Sequence, residues 1–370
     1  MAEVIKIAII AGQLVVGGAE QQLYNWLANL DRKRFDPIVL TLHPGHGDFW
    51  EEPIRDLGIP LYEIPERSNK LVRLHQIIRI LRPFKPALIH GWHAFPGVYA
   101  GFSAKLLGAR SVAGIRSSYL PLKGALETKI IRRFCDAVVA NSQIAASEYQ
   151  LAQRPKRQKV FVVQNAVEKN FLDRETARQK LIAIYSLPPD PGWIASIGRM
   201  DSLKRFDTLV QVCAELKLAG YDFHLVLIGD GPEKGNLEKL VKENHLNSQV
   251  TFTGEVPAAR RLLPAFDVFC FSSVAEGSPN VLMEAALAGL AIVAWDLPFN
   301  REILPKMNLA LLVEPGNQRA MLNALIRLIN SETFRQSLGS EAQKHVQTSF
   351  GLHRFIEAMT SVYENVLEDK

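Results

Sequence analysis

Two glutamates, Glu276 and Glu284, stand with seven residues between them around the turn Gly277, Ser278, Pro279, Asn280 and Val281. The run before them, Asp267-Val-Phe-Cys-Phe271, suits a buried strand. Ser278 is expected as N-cap and Pro279 as the first helical residue. A helix that starts there offers unpaired N–H groups and about half a positive charge to an anion. The flanking carboxylates are strong acceptors for hydroxyl donors. Anion site and carboxylates together suit a ligand with phosphate and vicinal hydroxyls, as a sugar nucleotide has. The plain alternative is a surface turn leading into an ordinary amphipathic helix.

A second set is cationic. Gly198-Arg199-Met-Asp-Ser-Leu-Lys204 follows an expected strand at Trp193–Ile197. Arginine can grip a diphosphate in bidentate fashion and lysine adds a point charge, which suits a departing nucleoside diphosphate. A solvated basic loop is the competing explanation. Further sheet-edge loops are Gly229-Asp-Gly-Pro-Glu233 and Gly254-Glu255-Val256.

In the first half, Gly17-Gly18-Ala-Glu20 lies between a strand and a helix and lets a ligand approach the backbone. It lacks the third glycine of a dinucleotide fingerprint. His90-Gly-Trp-His93 closes a strand at the edge where open α/β sheets bind ligands. A histidine there is also a common structural residue. Arg116 ends the next strand; being permanently charged, it cannot serve as a base. It can grip a phosphate or acidic acceptor, or cap the strand.

The stretch Glu276 to Gly289 resembles the paired-glutamate signature of retaining glycosyltransferases with two Rossmann-like domains, in particular glycosyltransferase family 4. The Gly17-Gly18 loop, the Gly198-Arg199…Lys204 pattern and the strand end at Gly254 keep that family's order. The resemblance implies that Glu276 contacts the donor sugar and Glu284 the ribose. It places the backbone of Ser278 to Val281 near sugar and diphosphate, and Gly254, Glu255 and Val256 at the nucleobase. Gly17 and Gly18 would face the diphosphate across the cleft, while His90, His93 and Arg116 would line the acceptor side. The implied catalytic set is Arg199, Lys204, Glu276 and His93. Many members carry histidine near the position of Arg116, so proton transfer there is in doubt.

The elements that must position these residues alternate strand and helix. Strands are expected at Val4–Ala11, Pro37–Leu42, Ala87–His90, Ser111–Ile115, Asp136–Ala140 and Lys159–Val163, and again from Trp193 to Val313. Near-continuous apolar strands joined by helices predict an α/β fold: two Rossmann-like domains with parallel sheets facing across a cleft, the GT-B type. The expected domains are 1–170 on the acceptor side and 171–350 on the donor side, with 351–370 returning to the first. The Pro-rich Leu187-Pro-Pro-Asp-Pro-Gly192 is the expected hinge.

Composition narrows the partners. Three cysteines, Cys135, Cys213 and Cys270, are too scattered for a disulfide framework and fit a reducing cytoplasm. No uncharged run approaches the roughly 20 residues of a membrane span. The sequence holds no Asp-x-Asp, and the trio His43, His46 and Asp48 reads as a loop, so no metal or other cofactor is expected. The net charge is +5, and residues 67–85 carry six Lys/Arg and no acid. Within them, Leu71, Leu74, Ile77, Ile78 and Leu81 form a helical stripe with Lys70, Arg73, Arg79 and Arg82 around it. Such a helix can lie on an anionic membrane or simply pack on the sheet. Nothing suggests nucleic-acid binding.

The expected activity is metal-independent, retaining transfer of a sugar from a nucleoside diphosphate sugar to a hydroxyl, with a lipid-linked saccharide or cell-surface polysaccharide precursor as acceptor. The expected location is cytoplasmic, peripheral on the inner membrane face. The alternatives are a sugar-nucleotide epimerase, which would need acids and bases at C2 and no acceptor, and a non-catalytic sugar-nucleotide-binding protein. A nicotinamide oxidoreductase fails on the missing glycine fingerprint.

Overall fold

The computed structural model describes residues 4–45, 48–65, 69–116, 126–151, 158–190 and 192–368. The chain forms two compact units, residues 1–166 with 352–370, and residues 167–351. The first contains β1 (Ile5–Ala11), α1 (Gly18–Ala28), β2 (Phe35–Thr41), α2 (Glu51–Asp56), β3 (Leu61–Glu63) and α3 (Lys70–Phe84). It continues through β4 (Leu88–Gly91), α4 (Ala94–Leu107), β5 (Arg110–Ile115), α5 (Leu126–Phe134), β6 (Ala137–Ala140), α6 (Gln143–Leu151) and β7 (Lys159–Val162).

The second contains α7 (Arg174–Tyr185), β8 (Trp193–Ile197), α8 (Phe206–Leu218), β9 (His224–Ile228), α9 (Lys234–Glu243) and β10 (Val250–Gly254). A 3-10 helix (Ala259–Ala265) leads to β11 (Val268–Phe271), α10 (Asn280–Leu287), β12 (Ala291–Trp295), α11 (Pro298–Ile303) and β13 (Leu311–Val313). Then follow α12 (Gln318–Ile329) and α13 (Glu332–Ser349); α14 (Leu352–Glu368) rejoins the first unit.

Both sheets are parallel. Among the described residues the strand orders are β3-β2-β1-β4-β5-β6-β7 and β10-β9-β8-β11-β12-β13. The apolar composition of the strands follows from this. Ile7, Ile9 and Ala11 face one core, and Ala8 and Ile10 the other, so both faces of β1 are covered by helices. In the second unit Leu225, Leu227, Val268, Cys270, Val293 and Trp295 share one cluster with α8 and α12.

Some helix starts carry side-chain caps. Asn69, Asp173, Asn317 and Ser331 accept hydrogen bonds from the backbone N–H three residues on, capping α3, α7, α12 and α13.

Two expectations need correction. The short edge strand β3 was not anticipated, because three residues with two side chains exposed show no usable alternation. The Pro-rich stretch 187–192 is not the junction between units. The Trp193 indole N–H donates to the Pro188 carbonyl (3.0 Å) and Arg178 to that of Pro189 (2.9 Å), which ties the stretch into the second unit. Pro191 lies outside the described residues.

α14 is held to the first sheet by an apolar stripe. Phe355, Met359, Val362 and Tyr363 join the core around Trp26. The Tyr363 ring stands edge-on to Trp26 at 5.5 Å, and its hydroxyl meets His90 Nδ1 at 2.8 Å.

In the second unit α13 crosses the turn after α10 at Gly339, where a Cβ would lie well inside van der Waals distance of the Gly289 carbonyl. Gly339→Ala should therefore destabilise the protein by about 1–3 kcal/mol or more. Urea unfolding would check this; an unchanged midpoint would mean that the helix can shift at no cost.

Candidate sugar-nucleotide site

In each sheet the strand order reverses once, between β1 and β4 and between β8 and β11. Loops leaving the carboxyl ends of two such strands diverge, and the crevice between them is where open α/β sheets bind ligands. The Gly17–Glu20 and His90–His93 segments follow β1 and β4; Lys204 and Glu276 lie on the loops after β8 and β11.

In the second unit these loops are tied together. The Ser272 hydroxyl donates to the Lys204 carbonyl (2.7 Å), and the Val274 N–H to that of Leu203 (2.9 Å). This brings the Lys204 ammonium directly onto the Glu276 carboxylate, with both side chains largely buried. Gly198 borders the Lys204 stem, while Arg199 is exposed in the same loop. The loop after β9 presses on it so closely that a Cβ on Gly229, at φ 133°, would collide with the Gly198 carbonyl.

Helix α10 starts one residue later than expected. Pro279 occupies the cap position with φ −74° and ψ 100°, and its carbonyl accepts from Leu282 (3.1 Å) and Met283 (3.4 Å). The shift comes from Pro279 itself, whose ψ of 100° is extended, so that it takes the cap position in place of Ser278. The Leu282 N–H is thus taken by Pro279, while the aligned peptide dipoles still leave partial positive charge at this end of α10. Glu284 lies within α10, and Arg260 of the 3-10 helix approaches it to 3.9 Å. Burial raises the Glu284 pKa and the Arg260 charge opposes that rise. Gly254 turns at φ 70°, followed by exposed Glu255 and half-buried Val256.

In the first unit Gly17 caps α1 without a side chain, and the Glu20 carboxylate folds back into the space a residue-17 Cβ would take. Glu20 thereby occupies part of the helix N-terminus expected to favour a diphosphate. Its pKa is raised by burial, against the pull of its own backbone N–H and of Arg116. Arg116 stacks over Trp92 at 3.8 Å; its Nε donates to the Trp92 carbonyl (3.0 Å) and Nη1 to Asn165 (3.4 Å). Of the roles open to it, capping the strand end is the one these contacts support.

Burial and then the Arg116 charge hold His93 down to about 3, so its 3.5 Å contact with Glu20 is not an ion pair at neutral pH. Burial, then Arg116 and His93, likewise keep His90 neutral. A Cβ on Gly91 would strike the first turn of α4 at Gly97, which explains the glycine between the two histidines.

Sequence reasoning missed Arg260 and Glu20's inward fold, since neither has a motif of its own. It also placed α3's residues imperfectly. Arg73 turns inward beside Phe95 and Tyr99 (5.9 Å from each ring), whereas Leu71 is 78% exposed. Arg67 and His46 lie outside the described residues. His43 stacks on Phe95, and Asp48 accepts from the Leu14 N–H (3.3 Å). A cavity of about 500 Å3 at the amino edge of the first sheet is lined by Lys105, Arg110, Arg132 and Arg133. Lys105, Arg132 and Arg133 sit in the last turns of α4 and α5, where cations offset the helix dipoles.

Two Rossmann-like units, each with a strand-order switch point, define an architecture of the GT-B kind. Comparison with known proteins agrees. Residues 16–171 match the model "Glycosyltransferase Family 4" and residues 177–345 match "Glycosyl transferases group 1". The chain is a GT-B glycosyltransferase resembling family 4. The putative glycosyltransferase EpsF of Bacillus subtilis is 27% identical over 76% of each chain. An N-acetylgalactosamine-N,N'-diacetylbacillosaminyl-diphospho-undecaprenol 4-alpha-N-acetylgalactosaminyltransferase of Campylobacter jejuni is 30% identical over 47% of each. The crystal structure of Anabaena Alr3699/HepE with UDP-glucose superposes with a TM-score of 0.84 at 18% identity, covering 98% of this chain and 100% of that one. That likeness concerns the fold.

His93 also links this region to stability. The unfolded chain takes up its proton near 6.5, the folded one only near 3, so acid in that window favours unfolding. Stability is complete above pH 6.5 and declines toward 3, with solvent damping the effect because 30% of the side chain is exposed. His93→Gln should flatten the fall in urea midpoint between about pH 7 and pH 5. Identical slopes in both proteins would contradict the assignment.

Proposed function

We propose that the protein is a retaining, metal-independent glycosyltransferase using a nucleoside diphosphate sugar. The observation that carries this reading is the Lys204–Glu276 contact at the β8/β11 switch point, just before the N-terminus of α10. A donor there would set its diphosphate against Lys204, Arg199 and the first turn of α10, and its sugar hydroxyls against Glu276. Glu284 takes the ribose hydroxyls, and Gly254 to Val256 adjoin the base. The acceptor hydroxyl oxygen bonds to the anomeric carbon on the face the leaving group vacates. The C–O bond to the diphosphate breaks, and the acceptor proton passes to the departing phosphate. Cations stabilise that charge as it develops, in place of a divalent metal.

In the first unit, neutral His93 accepts a hydrogen bond from a substrate hydroxyl while Arg116 stays fixed on Trp92. The acceptor we propose is a lipid-linked saccharide or polysaccharide precursor, in line with the undecaprenol-linked substrate in the name of the Campylobacter relative. A cytoplasmic, peripheral location on the inner membrane face goes with it. No helix among the described residues is long and apolar enough to cross a membrane. Exposed Leu71 and Val72 beside Lys70, with Arg79 and Arg82 further along α3, supply an apolar and basic contact for anionic lipid.

Three measurements test these assignments. With EDTA present, one of a panel of UDP-, GDP- and ADP-sugars should raise the melting temperature by mass action; no response to any would refute the donor class. Lys204→Ala and Glu284→Ala should each cut donor turnover by about 100-fold or more with the fold retained. Full activity in either would remove that residue from the site. Vesicles rich in phosphatidylglycerol should co-sediment the protein, and Lys70→Glu with Arg79→Glu should abolish this; unchanged binding would rule out α3 as the contact.

A further inference from the structure

We infer that Arg260 is a positioning residue that fixes the Glu284 carboxylate in the state that receives the ribose hydroxyls of a nucleoside diphosphate. The inference rests on the sugar-nucleotide reading above and names a residue that reading does not contain. Glu284 leaves only 12% of its side chain exposed, and Arg260 only 25%. At 3.9 Å the guanidinium acts on Glu284 by charge, beyond the reach of a good hydrogen bond. It lies close enough to favour the charged carboxylate against the cost of burial. A carboxylate accepts hydroxyl hydrogen bonds far better than a neutral acid does.

The support for Arg260 is rigid. Ala258 turns through a left-handed φ of 55° to start the 3-10 helix, and Leu262, Leu263 and Ala265 bury its inner side. The neighbouring Arg261 carbonyl accepts from Leu172 at 3.0 Å. This helix directly follows Gly254 to Val256, so one short segment carries both the proposed base contact and the cation behind the ribose contact. Of the ionisable groups on the other elements packed on α10, several have partners of their own, while Glu302 of α11 and Arg261 of the 3-10 helix also lie on elements that touch it. On α13, His345 meets the Ile303 carbonyl (3.0 Å); on α11, Arg301 pairs with Asp296. β12 carries no ionisable side chain, and Glu276, upstream, faces Lys204.

The test is calorimetric binding of UDP, GDP and ADP, which share the ribose diphosphate, from about pH 5.5 to about pH 8.5. For whichever binds the wild type, Arg260→Gln should weaken binding about tenfold at the acid end, the factor one pKa unit produces. The loss should shrink as pH rises and Glu284 regains its charge. Arg260→Lys, which keeps the charge, should stay close to wild type, and Glu284→Gln should be weak at every pH. Arg260→Met, which keeps the alkyl stem, replaces the glutamine variant if that one fails to fold. A binding loss in Arg260→Gln that is absent, or the same at all pH, overturns the inference alone. If the wild type binds none of the three, the nucleotide reading falls and this inference with it.

Discussion

Two neighbouring strands of a parallel sheet whose connections run in opposite directions leave a gap at their carboxyl ends that no loop fills. In this chain the gap occurs once per sheet, at β1/β4 and at β8/β11, and the chemically distinctive residues gather at both. The gap is only useful if the loops beside it are stiff. Glycines supply that stiffness by letting backbones meet: Gly229 against Gly198 in one unit, Gly91 against Gly97 and Gly114 against Trp92 in the other. Any side chain at these points would force the loops apart and move the charges they carry.

The electrostatics of the two edges differ in kind. In the second unit opposite charges are matched, Lys204 with Glu276 and Arg260 with Glu284, so each carboxylate has a cation beside it. A sugar diphosphate entering such a site would exchange these pairings for its own, phosphate to cation and hydroxyl to carboxylate. At the first unit's edge Arg116 is the dominant cation. Arg116 is clamped on Trp92 and helps to keep His90 and His93 neutral, so that edge offers acceptors and apolar surface more than charge. On the proposed reading this division suits a charged donor on one unit and a neutral hydroxyl acceptor on the other.

Much of this was legible from residue order. Continuous apolar strands, each followed by a helix, announce a covered parallel sheet, and the motif residues fall at its strand ends. The limits have physical causes as well. β3 is too short and too exposed to show a period, and the late start of α10 comes from the extended ψ of Pro279, which moves the cap one residue past Ser278. Arg73 has the polarity of a surface residue, yet Phe95 and Tyr99 offer their rings to its guanidinium and draw it inward. Such an exchange of water for aromatic faces depends on a helix that the local pattern of α3 says nothing about.

By itself the sequence determined the class of fold, the ordering of the motif loops and the chemical types available at each, because strand and helix periodicity and turn chemistry are local properties. Only tertiary structure decided which charges face each other: Arg260 behind Glu284, Glu20 folded over Gly17, Arg116 locked on Trp92, and Tyr363 of the last helix against His90. Pairings of that sort are set by how sheets and helices pack, and residues far apart in the chain carry no mark of the partner that packing will bring to them.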